Sequence, residues 1–158
     1  MSEASASVQR VEQALQAHGM SGRIRRLPAS TRSAQEAAAA IGCPVATIAK
    51  SLVFRLEASA QALLVIASGS HRVNEQTLST HVGDRVLKAD AQFVREATGF
   101  AIGGVPPVGH AGGVQVLIDE SLLQHPEIWA AAGTPHAVFW LTPEELIRIT
   151  GGRVVSVA

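Results

Sequence analysis

The sequence predicts a single α/β domain with a mixed, partly antiparallel sheet flanked by helices. Three observations carry that expectation. Helix-type and strand-type segments interleave along the chain. Several of the links between strand-type runs are too short for a helical crossover, which forces antiparallel neighbours. The chain has 158 residues and is 47% hydrophobic, enough for one sizeable core and too short for two.

The elements follow in order. The opening segment, residues 1–7 (MSEASAS), lacks a charged start followed by an apolar stretch, so it reads as a frayed tail and not as a secretion signal. Val8, Val11 and Leu15 recur at helical spacing, and Gly19 follows as a stop. Arg23 to Arg26 (RIRR) alternate as a short strand would. Ser33 and Glu36 have capping-box spacing, the alanines at 37–40 propagate the helix, and Gly42 ends it. Residues 50–57 (KSLVFRLE) and 62–69 (ALLVIASG) are β-type runs joined by a polar turn, hence a hairpin. Asn74 caps a helix running to about His81. Residues 85–88 make a short strand. Asp90 caps a helix that carries Phe93 and Val94 and stops at Gly99. Residues 114–119 (VQVLID), 128–132 (IWAAA) and 137–141 (AVFWL) are three further strands. Thr142-Pro143-Glu144-Glu145 is a second capping box with proline at the first helical position, where its missing N–H costs nothing. Gly151 and Gly152 end that helix, and RVVSV closes the chain as a strand.

Composition excludes several classes. Thirteen basic and thirteen acidic residues give zero net charge, and only 16% of the chain is charged, which excludes a disordered chain and a strongly basic nucleic-acid binder. Charge is uneven, however. Residues 1–32 carry an excess of three positive charges, and residues 111–158 an excess of three negative ones. The RIRR cluster is either a strand with one solvated face or an edge that meets phosphates. The longest clean apolar run, Ala62 to Ala67, is far below the roughly 20 residues of a membrane span. One cysteine, Cys43, cannot form an internal disulfide and reads as a small buried residue, although a thiol near a helix start can be activated. The expectation is a reduced, cytoplasmic protein without a membrane partner.

The usual catalytic signatures are missing. There is no GxGxxG after a strand, no P-loop, no GxSxG elbow and no HExxH. Six histidines have no ligand spacing, so neither a metal nor another cofactor is expected. Ser68, Ser70 and His71 are close in sequence, but the sequence suggests no acid partner for them.

Two features remain. Lys50 is one of two lysines in a chain with eleven arginines, and it opens an otherwise apolar strand. It is either a partly desolvated point charge facing a ligand or a strand-end lysine reaching for water. The segment Thr98 to His110 (TGFAIGGVPPVGH) holds paired glycines and paired prolines. That is more than a turn requires, and such a backbone can present N–H groups to an anion or carbonyl. A site is favoured there over a plain connection.

Residues 48–54 (IAKSLVF), 67–73 (ASGSHRV) and 98–110 together resemble the YbaK/ProX family of aminoacyl-tRNA deacylases. That family includes the editing domain inserted in bacterial prolyl-tRNA synthetases and its freestanding relatives. The resemblance runs from the first helix to the TPEELIRITGG end. It implies a YbaK/ProX-like editing-domain fold, with residues 8–158 as one deacylase domain. It implies metal-free hydrolysis of the ester between a mischarged amino acid and the terminal adenosine of tRNA, often tRNA for proline. The implied partners are aminoacyl-tRNA and prolyl-tRNA synthetase. The family lysine falls on Lys50 and the backbone-donating glycine on Gly103; these are the expected catalytic residues. Expected substrate-binding residues are Thr31, Ser33, Ser68, Gly104, Pro106, Ala131, Gly133 and His136. Cysteine-specific relatives carry an aromatic residue at the position of Ser33 and Ser-Gly-Gly at 131–133. Here Ser33 and Ala131-Ala132-Gly133 imply another small amino acid, such as Ala, Ser or Thr. The rival readings are a non-catalytic module that binds an aminoacyl-adenosine or small metabolite, and a general esterase, for which the sequence offers no nucleophile–base pair.

Overall fold

A computed structural model of the chain describes residues 2–158. Its helices are α1 (Glu3–Ala17), α2 (Ala34–Ile41), α3 (Glu75–Val82), α4 (Ala91–Thr98) and α5 (Pro143–Thr150). Its strands are β1 (Ile24–Arg26), β2 (Ile48–Leu56), β3 (Ala62–Ser68), β4 (Val86–Lys88), β5 (Val114–Asp119), β6 (Ile128–Ala131), β7 (Ala137–Leu141) and β8 (Arg153–Val155). All eight strands join one sheet in the order β1-β7-β6-β2-β3-β5-β8, with β4 pairing β2 beside this path. β2–β3, β2–β4, β6–β7 and β1–β7 pair antiparallel, whereas β2–β6, β3–β5 and β5–β8 pair parallel. The sheet is mixed, as expected.

Local chemistry accounts for the element ends. Ser33, Asn74, Asp90 and Thr142 each accept a backbone N–H in the first turn of their helices. The box at Thr142 is closed in both directions, because Glu145 also accepts the Thr142 amide. Gly42, Gly83, Gly99 and Gly151 end their helices in the left-handed conformation. The first helix starts at Glu3, inside the segment read from the sequence as a frayed tail. Ser2 caps it by accepting the Ser5 amide, and Ser7 and Val8 are already buried.

The sheet has two buried faces. β3 is buried along its whole length, which is why it reads as a continuous apolar run and not as an alternation. Its side chains nevertheless alternate between two clusters. Leu64 and Ile66 pack with α1, α4 and α5 residues such as Val11, Val94 and Leu146. Leu63, Val65 and Ala67 pack with Leu78 of α3 on the other face. Each fully buried aliphatic side chain contributes about 1.5–3 kcal/mol relative to exposure. This central strand is therefore a rigid floor, and its partner β2 carries Lys50 opposite Ala67.

Candidate functional site

The parallel pairing of β2 with β6 sets Ile48 beside Trp129 and Ala49 beside Ala130. Helix α2 and its preceding segment lie on one side of this point, and the 99–110 loop lies on another. Between them is a cavity of about 430 Å³, within the usual range for small-molecule sites. Thr31, Ser33, Lys50, Gly103 and Ala131 all line it. Five of the ten residues expected to form a site, drawn from four separate chain segments, thus surround one space.

Lys50 is half-buried, and its Nζ donates to the His71 carbonyl at 2.8 Å. An ammonium has three hydrogens, so this bond leaves two donors. Burial pushes its pKa below the ordinary lysine value, and Arg72 adds to that, while the charge of Asp119 opposes it. Gly103 adopts φ +94°. Among the described residues its amide meets no acceptor, so the cavity wall carries an unpaired N–H. Such a donor is suited to a carbonyl oxygen or a developing oxyanion.

The other glycine of the pair does different work. A Cβ on Gly104 would lie 2.7 Å from the carbonyl carbon and oxygen of Gly133 and from the Thr134 Cα. The Gly104 carbonyl also accepts the Gly133 amide at 2.9 Å. These two glycines dock the 99–110 loop onto the 131–136 loop. Gly133 in turn packs against the Ser7 backbone of α1. Neither lines the cavity. Pro106 is buried and holds the loop through its carbonyl, which accepts His110 Nε2–H at 2.6 Å. Ser68 is buried behind the wall, where its hydroxyl donates to the Ala46 carbonyl. Its neighbour Gly69 is the residue that reaches the cavity. His136 is exposed and outside the lining, with its carbonyl accepting the Leu27 amide. Thr31 lines the cavity, but its hydroxyl is committed to the Pro135 carbonyl at 2.7 Å. Ser33 combines lining with its capping role.

Sequence reasoning missed several features. Ser51 lines the cavity, and its buried hydroxyl has no partner among the described residues. Trp129, Arg32 and the exposed Ile102 also line it. His71 does have an acid partner: its Nδ1 is 2.9 Å from Asp119 Oδ2. Forty-eight residues separate the two, and the parallel pairing of β3 with β5 brings them together. The only sequence signal for Asp119 was Ser121 two residues on, and the Asp119 side chain does accept the Ser121 amide. Cys43 is half-buried where the sequence suggested burial, because the turn after α2 lies near the surface.

The RIRR cluster divides in two. Arg23 makes a bidentate pair with Glu145 at 2.6 and 2.8 Å and stacks over Trp140 at 4.1 Å. Its role is to bind edge strand β1 to α5. Arg25 and Arg26 remain exposed on that edge. Among the described residues no group of three or more His, Cys, Asp or Glu could hold a metal, and no helix is long and apolar enough to cross a membrane.

Comparison with known proteins locates this geometry in a family. The sequence signature of the aminoacyl-tRNA editing domain matches residues 28–149. The chain is 31% identical over 131 residues to the uncharacterized protein YwhH of Bacillus subtilis (strain 168), covering 83% of each. A 57-residue stretch, 35% of this chain, is 42% identical to 10% of the proline–tRNA ligase of Moorella thermoacetica. A solved structure of a protein proposed as a trans-editing enzyme for prolyl tRNA synthetase superposes with a TM-score of 0.90 and 46% identity, covering 99% of this chain and 98% of that one.

Proposed function

Since this chain belongs to the aminoacyl-tRNA editing domain family, we propose that it is a trans-editing deacylase. It removes a mischarged small amino acid (Ala, Ser or Thr) from tRNA, with tRNA for proline as the substrate and prolyl-tRNA synthetase as the enzyme whose errors it corrects. Residues 8–158 act as the deacylase domain, in the cytoplasm. One observation supports the chemistry above all: an ammonium with free donors and an unpaired backbone N–H line the same cavity.

An aminoacyl ester is already activated, so no protein nucleophile is required. Water adds to the ester carbonyl carbon and forms a tetrahedral oxyanion. Gly103 N–H donates to that oxygen, and one such donor contributes roughly 3 kcal/mol to barrier lowering. Lys50 holds the terminal nucleotide and polarises the ester. The acyl C–O bond then breaks, the ribose oxygen takes one of the two protons brought by the attacking water, and the amino acid leaves as its carboxylate, the other proton passing to solvent. The neighbouring ribose hydroxyl of the substrate orients the attacking water. Orientation in the cavity supplies several kcal/mol more.

Thr31, Ser33 and Ala131 keep the pocket small. Size exclusion separates side chains that differ by one methylene by only about 1–3 kcal/mol, so neighbouring substrates overlap. Zero net charge implies modest tRNA affinity, carried by Arg25 and Arg26 on the β1 edge and Arg32 at the cavity. The test is a panel of aminoacyl-tRNAs scored for ester loss against an uncatalysed control. Turnover of small aminoacyl esters on tRNA for proline is expected. Binding without turnover would replace this reading with a binding module, and turnover of simple esters alone with a general esterase.

A further inference from the structure

We propose that the Asp119–His71 pair is a positioning device for Lys50: it clamps the turn after β3 so that the His71 carbonyl fixes the lysine ammonium at the cavity. The inference rests on the reading of Lys50 as the group that meets the substrate.

The geometry is a short relay. Asp119 is 1% exposed at the end of β5. Its Oδ2 accepts the Ser68 amide at 3.0 Å and meets His71 Nδ1 at 2.9 Å, so one carboxylate oxygen grips the turn at both ends. Its Oδ1 accepts the Ser121 amide at 2.9 Å, which fixes the carboxylate plane. Burial raises the tendency of Asp119 to protonate, but the hydrogen bonds from Ser68, Ser121 and His71 outweigh it and hold the pKa below the usual carboxylate range. Between the gripped residues, Gly69 is wedged in place: a Cβ there would lie 2.5 Å from the Val45 carbonyl oxygen and 2.8 Å from the Ala34 Cβ. The Gly69 amide donates to the Ile48 carbonyl at 2.7 Å, and the His71 amide to the Ser68 carbonyl at 3.0 Å. The turn has little freedom, and its last carbonyl is the acceptor for Lys50 Nζ.

Neither His71 nor the serines at 68, 70 and 121 line the cavity. The resemblance to a Ser–His–Asp array is therefore not a nucleophilic one. The imidazole serves to bring its own backbone carbonyl under control. The charged groups that reach Lys50 are Asp119, which favours the ammonium, and Arg72, which opposes it. Asp119 thus acts on Lys50 through the turn and through its charge.

The chain's two lysines make the test selective. Reductive ¹³C-dimethylation gives one Nζ signal for Lys50 and one for Lys88 besides that of the α-amino group, assigned with Lys50→Arg and Lys88→Arg. In His71→Ala the Lys50 signal and its titration midpoint are expected to move while Lys88 stays. Deacylation by the unmethylated variant should lose about tenfold in kcat with KM for aminoacyl-tRNA changed by less than about twofold. His71→Asn, which can still donate to Asp119, should restore most of that loss. Asp119→Asn should lower the Lys50 midpoint. The side chain of His71 is 38% exposed, so His71→Ala keeps the test decisive if the buried Asp119 variant folds poorly. An unmoved Lys50 signal with unchanged kcat in folded His71→Ala overturns the positioning role and leaves the deacylase reading intact. Full activity in Lys50→Ala would overturn the deacylase reading itself, whatever the spectra show.

Discussion

Replacing Gly103 and Gly104 separately with alanine distinguishes the reacting wall of the cavity from the scaffold behind it. At Gly104 the new Cβ would sit 2.7 Å from three backbone atoms of Gly133 and Thr134. Backbone cannot yield as a side-chain tip does, so the two loops must separate. Overpacking of this kind costs about 1–3 kcal/mol. The Gly133 N–H to Gly104 C=O bond, 2.9 Å long, is lost with it, adding about 1 kcal/mol. The expected destabilisation of Gly104→Ala is about 2–4 kcal/mol. At Gly103 the new Cβ meets only Pro135 Cγ at 3.5 Å, an ordinary contact. The penalty there comes from φ +94°, which costs a residue with a Cβ about 1–2 kcal/mol. The loop relieves that strain by turning, and turning re-aims the unpaired amide. A displacement of about 1 Å is enough for a loss of roughly 100-fold in rate. Urea denaturation followed by tryptophan fluorescence measures the first quantity, and single-turnover deacylation the second. Gly103→Ala should be the more stable variant and still be nearly inactive. Wild-type deacylation by Gly103→Ala would refute the assignment of its amide. Equal or greater stability of Gly104→Ala would refute the packing argument.

Three further outcomes follow from named contacts. The Glu145 carboxyl is held at about 2, chiefly by its bond from Arg23. A depressed folded pKa means that the stabilisation is complete above the ordinary value near 4.5 and fades as pH falls toward 2. After solvent screening this amounts to roughly 1–2 kcal/mol, and Glu145→Gln, which keeps the cap on Thr142, should flatten that part of a stability–pH curve measured by urea titration. Reversing Arg25 and Arg26 to Glu should raise KM for aminoacyl-tRNA severalfold and reduce its salt dependence while leaving kcat in place; an unchanged KM would remove the β1 edge from the docking surface. Ala131→Leu should fill the cavity and abolish turnover of Ala, Ser and Thr esters without unfolding the protein, which circular dichroism checks.

Much of the scaffold was legible because its signals are local. Ser33, Asn74, Asp90 and Thr142 announce helix starts through short-range hydrogen bonds, and glycines 42, 99 and 151 mark ends through a conformation that other residues resist; Gly83 ends α3 in the same way without having been read as its stop. The apolar run of β3 signalled a strand, and the structure adds that it is buried on both faces. What the sequence could not show is pairing at a distance. The parallel contact of β2 with β6 brings Trp129 to Ile48, and that of β3 with β5 brings Asp119 to His71. Ser121 marks Asp119 as a local cap, but nothing beside any of these residues marks its distant partner. The same limit explains the division of the glycine pair: only the fold reveals that Gly104 is pressed against another backbone while Gly103 borders the cavity with only an ordinary contact to Pro135. His136 follows a small-residue loop in sequence, yet the β6–β7 turn carries it outward.

In the proposed reaction the Lys50 ammonium and the Gly103 amide act on one ester carbonyl. Its most direct test is single-turnover release of the amino acid from alanyl-tRNA for proline by the wild-type protein and by Lys50→Met, which keeps the length of the side chain and removes the charge. Rapid release by the wild type is expected, with a loss of about 100-fold or more in a variant that remains folded. Release by Lys50→Met at the wild-type rate would contradict this role of the ammonium.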